Sequence, residues 1–514
     1  MASRGINVHP LGYHPASLET TTFDVIIIGA GPVANFGEVR LSKAGLSVCS
    51  VQYELYGGDC HYFACVPSKA LLRPCEALDA AKTVGGAREA IGDKDLDAQA
   101  IFKRRDDIVA SWDDEPWINT VAKPLGVTLV RGFGRITGKK SVSVQPYQES
   151  TLYHLTANIA VIVATGSTHN DLGIPGFDQL EPGKEMWINR DATAANYVPE
   201  HLVIFGAGAV GTEMATFYSR IGGKVTLIAS SSTVLPKIEP EASKIVRKSL
   251  ETHGVDIKLS TRATSIVKES TNRLVVTLNN GETITGSVIL NATGRKPRTF
   301  DLGLDTIGLP GEGAPLEVDA SMAVALPEVD NMQTKTGNWL YAIGDVNAIG
   351  PTTHMGVYQC RIACNSILSN LKESSPSKGI TLPRGSFITK SAITVGGIPQ
   401  VIFTEPGVST VGHTMASAQA TGLKVRAVDC DMAASVPGAW LYGDNQPGWA
   451  RWIIEEGTEK LVGATYCCVE ASEFVNSASV AIKMGLNLEQ LVHVVPPFPT
   501  RGEVIRYLLD AAGY

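Results

Sequence analysis

The stretch Phe23-Asp24-Val25-Ile26-Ile27-Ile28-Gly29-Ala30-Gly31-Pro32-Val33-Ala34 decides how this chain is read. Phe23 to Ile28 is a short β-branched run of the kind that fills a buried parallel strand. It stops at a glycine turn, a helix-like stretch continues to Ala44, and Leu46 to Val51 reads as a second buried strand. Strand, glycine turn, helix and strand make the first half of a dinucleotide-binding unit, in which backbone N–H groups and a helix N-terminus approach a pyrophosphate. Gly29 and Gly31 allow that approach, and Ala34 is a permitted third residue.

The pattern recurs at His201 to Phe205, Gly206-Ala207-Gly208-Ala209-Val210-Gly211, a helix through Ile221 and the strand Lys224 to Ile228. A lone glycine fingerprint is weak evidence, because any tight turn can mimic it; two with correct flanks point to two nucleotides. Two further apolar strands end in permissive turns, at Ala164-Thr165-Gly166-Ser167 and at Ala292-Thr293-Gly294-Arg295. Such turns are expected where a chain crosses between domains beside a cofactor. Trp339 to Ile343 is a similar strand, closed by Gly344-Asp345. Lys372 to Ser386, rich in Ser, Pro, Lys and Gly, reads as a solvated linker. Beyond it, Gln400 to Thr404 and Leu461 to Cys468 read as strands of a last α+β domain, with a helix from about Ser472 to Met484.

Composition narrows the function. At ~100–200 residues per domain, 514 residues suggest three or four domains with their own cores. A net charge of −7 argues against a nucleic-acid partner, which needs a basic face. No run of ~18 apolar residues suggests a membrane span, and the first 22 residues lack an apolar signal core, so a cytoplasmic protein is expected. Of nine cysteines, Cys49, Cys75, Cys360, Cys364, Cys430, Cys467 and Cys468 read as small packing residues. Cys60 and Cys65 stand apart: they are five residues apart, a spacing that a distorted helix start can bridge as a disulfide, and a helix N-terminus favours thiolate. No metal site is assigned.

Gly57-Gly58-Asp59-Cys60-His61-Tyr62-Phe63-Ala64-Cys65-Val66-Pro67-Ser68-Lys69 resembles the redox-active helix of the flavoprotein disulfide reductases, the family of dihydrolipoamide dehydrogenase, glutathione reductase and mercuric reductase. The two Ala-Thr-Gly turns, Tyr341-Ala342-Ile343-Gly344-Asp345 and Pro399 to Pro406 extend the resemblance from about Phe23 to Glu503. It implies an α/β fold with two doubly wound dinucleotide-binding (Rossmann-like) domains plus a C-terminal α+β interface domain. Residues 1–22 would be an N-terminal extension, 23–196 and 296–371 the two parts of the FAD-binding domain, 197–295 the NAD(P)-binding domain, 372–390 a linker or insertion, and 391–514 the interface domain. The family forms homodimers whose active sites lie between subunits.

The resemblance also assigns roles. Cys65 would face the flavin and Cys60 would exchange with substrate, while Lys69 would sit beside the flavin N5, paired with Glu213. Gly58, Asp59, Ala164, Thr165, Gly166, Gly344, Asp345 and Arg295 join the cofactor-contacting set, Asp345 on the ribityl chain. Gln52 stands where an acid usually holds the adenosine ribose. Gly206, Gly208 and Gly211 would receive NAD(P). Ala229-Ser230-Ser231-Ser232 lacks the acid that NADH users carry, and Ser230 and Ser231 could accept a phosphate, so NADPH is preferred although no arginine is present.

The largest departure is Phe498-Pro499-Thr500-Arg501-Gly502-Glu503, where the family has a His-Pro-Thr-x-x-Glu segment. Its histidine protonates the leaving thiolate and its glutamate, here Glu503, orients that histidine. Phe498 removes the acid, a loss worth on the order of 10²–10⁴ in rate, so an ordinary peptide disulfide is a poor substrate. Mercuric reductase also lacks the histidine but ends in a cysteine pair, and this chain ends in Asp510-Ala511-Ala512-Gly513-Tyr514. The expectation is an FAD enzyme passing electrons from NAD(P)H to a small acceptor: a quinone, a small disulfide, a reactive carbonyl or O₂. Two alternatives stay open, a flavoenzyme repurposed for a specialised metabolite with little use of nicotinamide or dithiol, and a flavin-bound redox sensor without turnover.

Overall fold

The computed structural model describes residues 5–327, 338–375, 379–393 and 395–514. A first unit is built from β1 (Thr22–Ile28), α1 (Pro32–Lys43), β2 (Val48–Gln52), α2 (Gly58–Tyr62), α3 (Cys65–Lys82), β3 (Thr128–Arg131) and β4 (Tyr153–Val163). The chain crosses through β5 (Ser167–His169) and α4 (Asn189–Ala194) into β6 (His201–Phe205), α5 (Ala209–Arg220), β7 (Lys224–Ile228) and β8 (Val288–Asn291). It returns through β9 (Arg295–Pro297) to β10 (Leu340–Ala342) and α6 (Thr353–Ser374). The last unit contains β11 (Gln400–Ile402), β12 (Gly407–Gly412), β13 (Leu461–Cys468), α7 (Val475–Met484) and α8 (Val504–Ala512).

The first sheet has seven strands in the order β3-β2-β1-β4 followed by Ser141–Gln145 and Phe133–Gly138, with β10 also parallel to β4. Its inner strands are covered on both faces, which is why β1 is apolar at nearly every position rather than alternating. The second sheet, Asp256–Lys258, β7, β6, β8 and Met186–Trp187, is parallel throughout. A five-stranded antiparallel sheet, β11-β12-β13 with Trp449–Glu455 and Val425–Asp431, closes the chain.

Each glycine turn is fixed by a neighbour that leaves no room for a side chain. A Cβ on Gly29, at φ +106°, would lie 2.3 Å from the Ala164 carbonyl oxygen, and one on Gly206, at φ +107°, 2.4 Å from that of Ala292. The Ala-Thr-Gly crossings therefore pack directly under the two dinucleotide turns, and β5 and β9 pair antiparallel where they pass.

Lys372 to Ser386 differs from the solvated linker expected of its composition. Helix α6 continues to Ser374, and residues 376–378 lie outside the described residues. The segment from Thr381 to Ile388 is docked: Thr381 N donates to Ala44 O at 3.1 Å, and Asn365 Nδ2 donates to the carbonyls of Gly385 (3.1 Å) and Ile388 (2.7 Å). Ile380 and Leu382 pack onto the core between α1 and α6, an apolar signal that the Ser, Pro and Gly around them masked. Among the described residues no helix is long and apolar enough to cross a membrane.

Cys467 and Cys468 point to opposite faces of β13. Cys467 joins the core shared with α3 and α5, and Cys468 joins the core of the last unit beside α7 and α8. Both are buried, in keeping with packing roles.

Candidate active site

The thiol pair sits at a break between two helices. Gly57 and Gly58 have φ of +120° and +65°, and a Cβ on Gly58 would lie 2.8 Å from the Gly31 Cα, so α2 starts against the first dinucleotide turn. Helix α2 ends at Tyr62, Phe63 and Ala64 leave the helical region, and α3 begins at Cys65. Cys60 and Cys65 are free thiols. Thr353, the first residue of α6, reaches both with its Oγ1, at 3.1 Å from the Cys60 Sγ and 3.6 Å from the Cys65 Sγ.

Their surroundings split the two thiols chemically. The hydrogen bond from Cys60, helped by Thr353 and the Lys69 ammonium, outweighs burial and lowers the Cys65 pKa to about 6. Cys60, holding the shared proton and partly buried, is pushed well above the ordinary thiol value. Cys65 is therefore the thiolate at neutral pH, with its charge at a helix N-terminus.

One turn beyond Cys65, Lys69 Nζ pairs with Glu213 Oε2 at 2.9 Å, joining α3 to α5. The other carboxylate oxygen accepts from Phe403 N at 3.0 Å, and the ammonium stands 4.7 Å from the Phe403 ring centroid. The pairing expected of Lys69 and Glu213 is present, and Phe403 adds a third partner to which the sequence had assigned no role. Thr353 was missed as well. Its only signal was a Thr-His helix start shortly after Gly344-Asp345.

The residues fit two dinucleotides. Helices α1 and α5 are both N-capped by glycine, Gly31 and Gly208; among the described residues neither has a side-chain cap, and a Cβ on either would meet nothing within 4 Å. Uncapped helix N-termini facing open space are what a pyrophosphate requires. Gly211 packs closely, its Cβ position being 1.9 Å from Gly206 O, as a third fingerprint glycine should. Ala34 is buried in the core under α1, and Gly344 N donates to Gln359 Oε1 at 2.7 Å.

Other expected cofactor residues have different partners. Gln52 Oε1 accepts from Ala30 N at 2.8 Å and its Nε2 donates to Leu55 O at 3.1 Å, so the amide braces the turn instead of standing free for a ribose. The Ser231 hydroxyl donates to Thr233 O at 2.8 Å, while Ser230 and Ser232 are exposed. Asp345 accepts from Ser167 Oγ at 2.6 Å. Thr165 Oγ1 donates to Arg298 O at 2.8 Å and Gly166 O accepts from Arg298 N at 2.9 Å, so that turn ties the two crossings together. Arg295 donates to Ser167 Oγ (2.8 Å), Ser167 O (2.6 Å) and Asn189 Oδ1 (2.8 Å), and lies 3.5 Å from Asp59. The arginines Arg190, Arg298 and Arg295 hold Asp59 below the usual carboxylate range despite its burial.

Phe498 is 74% exposed, whereas Glu503 is 3% exposed. Among the described residues the Glu503 Oε2 has no hydrogen-bond partner, and Arg506 stands 3.7 Å from its Oε1.

Two dinucleotide folds joined at a dithiol and a Lys–Glu pair define a flavin-linked, nicotinamide-linked disulfide oxidoreductase. Known proteins agree. The pyridine nucleotide-disulphide oxidoreductase family matches residues 23–363, its dimerisation domain matches 398–509, and the chain belongs to this family. A dihydrolipoyl dehydrogenase of Chlorobaculum tepidum is 30% identical, over 94% of this chain and 96% of that protein. One from Haloarcula marismortui is 27% identical, over 96% and 97%. Among solved structures, the Cu(II) complex of the HOCl-induced flavoprotein disulfide reductase RclA from Escherichia coli superposes with a TM-score of 0.77 at 22% identity, covering 96% of this chain and 99% of that one. LpdA from Mycobacterium tuberculosis gives 0.77 at 21%, over 96% and 100%. The chain is thus an FAD-dependent pyridine nucleotide-disulfide oxidoreductase.

Proposed function

We propose that this enzyme carries electrons from NADPH to the Cys60–Cys65 pair and on to a small acceptor that needs no histidine acid. The observation that carries the reading is a polarised thiol pair beside Lys69–Glu213, combined with Phe498 at the base position. Bound FAD would supply the two-electron exchange between nicotinamide and dithiol. Gly31 and the start of α1 would hold its pyrophosphate, and Lys69, fixed by Glu213 and Phe403, would present a cation to it. Gly206, Gly208 and Ser230 would hold the nicotinamide nucleotide.

Reduction of the disulfide delivers two electrons and one proton to the pair, giving a Cys60 thiol and a Cys65 thiolate. Cys60 keeps its proton and serves as the outgoing thiol, while the Cys65 charge is held by Lys69 and the α3 N-terminus. With Phe498 in place of an acid, an acceptor that takes its protons from water or from Cys60 itself is favoured. Quinones, reactive carbonyls, small disulfides and O₂ meet that condition.

The exposed apolar residues Val492, Val494, Val495 and Phe498 support a homodimer whose second copy covers this segment. A reducing cytoplasm suits a pair whose disulfide is a transient catalytic state. Anaerobic titration with NADPH and NADH separately, following the flavin band and the thiolate-to-flavin charge-transfer band, tests the whole reading. Bleaching by NADPH with growth of the long-wavelength band is expected; a flavin that neither nucleotide reduces overturns it.

A further inference from the structure

The break between α2 and α3 leaves backbone groups without helical partners. In a continuous helix the Phe63 carbonyl would accept from the N–H of residue 67, but Pro67 has none. Two side chains of α4 take its place: Asn189 Nδ2 at 3.1 Å and Thr193 Oγ1 at 2.9 Å both donate to Phe63 O. The preceding carbonyl, that of Tyr62, accepts from Trp112 Nε1 at 3.2 Å. The Arg190 guanidinium stands 4.4 Å from the Phe63 ring centroid and pairs with Glu54 and with Asp59, the latter at 3.1 Å. Helix α4 is itself pinned, since the buried Arg105 donates to the carbonyls of Thr193 and of Ala195, the latter at 2.8 Å.

Helix α4 lies on the crossing into the second unit, and its contacts continue beyond it. Asn189 Oδ1 accepts from Arg295, Arg295 donates to Ser167, and Ser167 donates to Asp345. One chain of hydrogen bonds thus runs from the carbonyl between the two thiols, through both interdomain crossings, to the first unit's cofactor side.

We infer that Asn189 and Thr193 are positioning residues of the thiol pair: by holding the Phe63 carbonyl they set the geometry in which Cys60 and Cys65 close to a disulfide, and they tie that geometry to the seating of the crossing strands. The inference rests on the reading of Cys60–Cys65 as the redox centre. It makes closure of the pair sensitive to hydrogen bonds made to the backbone between the two cysteines.

The test is equilibration of the purified holoenzyme in glutathione buffers. Cys60 and Cys65 lose two electrons to oxidised glutathione, with one proton from Cys60 and one from the buffer because Cys65 is already a thiolate; one sulfur–sulfur bond forms in the protein, one breaks in the reagent, and two glutathione thiols result. The fraction closed is read by mass on the peptide that carries both cysteines. Thr193→Val and Asn189→Ala are each expected to lower the equilibrium constant for closure about tenfold, a shift of about 30 mV, and Thr193→Ser, which keeps the hydroxyl, to restore it. Asn189 is only half-buried, so Asn189→Ala decides alone if Thr193→Val does not fold. Folded, flavin-loaded variants that close at the parent ratio overturn the proposal. A parent protein that closes at no ratio overturns the redox reading and this inference with it.

Discussion

At the scale of single residues the site is defined by what each atom has left to bond. Cys65 is ionised and Cys60 is not, because one shared proton, Thr353 and Lys69 all favour charge on Cys65. A depressed acid pKa means the thiolate persists on lowering the pH until about 6. Carboxymethylation of Cys65 in the reduced enzyme should therefore reach half its plateau near pH 6, not near the ordinary thiol range, and a midpoint above about pH 8 would refute the assignment. Glu503 supports a second prediction. Its buried Oε2 has no hydrogen-bond partner among the described residues, and Phe498→His, which restores the family's acid–base residue, should raise turnover of a small disulfide by up to about 10²-fold, the lower end of general acid–base contributions. Unchanged turnover in a folded dimer would show that Phe498 is not what limits disulfide chemistry. Part of this scale was legible in the sequence, since Lys69 and Glu213 form the pair expected of them, and Cys60 and Cys65, both free thiols, lie within reach of one threonine hydroxyl. Thr353, Phe403 and Gln52 were not, because hydrogen bonds between residues far apart in the chain leave no local pattern.

At the scale of elements, turns and crossings explain each other. Gly29 is required by the Ala164 carbonyl at its back, whereas Gly31 faces open space. The two glycines of one fingerprint should therefore fail differently. Gly29→Ala adds left-handed strain of about 1–3 kcal/mol and a backbone clash, so it should lower the melting temperature of the apoprotein as well as the holoprotein. Gly31→Ala should leave apoprotein melting unchanged and weaken FAD retention alone; calorimetry with and without FAD separates the two. The strands and helices around these turns were readable because apolar runs and glycines are local signals. The docked segment after α6 was not, because Ile380 and Leu382 are two apolar residues in a stretch dominated by turn formers.

For the whole molecule, the order of a mixed sheet, a parallel sheet and a closing antiparallel sheet follows from the repeated strand–glycine–helix pattern and the late α+β segment. The apolar surface of the last unit, Val480, Met484 and Val495 included, is what a monomer would have to leave in water. Sedimentation of the native enzyme is expected to give a dimer, and Met484→Glu with Val495→Glu a monomer with a retained flavin and little turnover; a native monomer would refute the shared site. The adjacent thiols of β13 give the molecule a further use. Because Cys467 is shielded by the α3–α5 core and Cys468 by the core of the last unit, a slow alkylating reagent reports on two separate openings from neighbouring positions. Detachment of the last unit as an intact body would label Cys467 first, its melting would label Cys468, and the ratio of the two adducts in one peptide would serve as a built-in gauge of which event comes first.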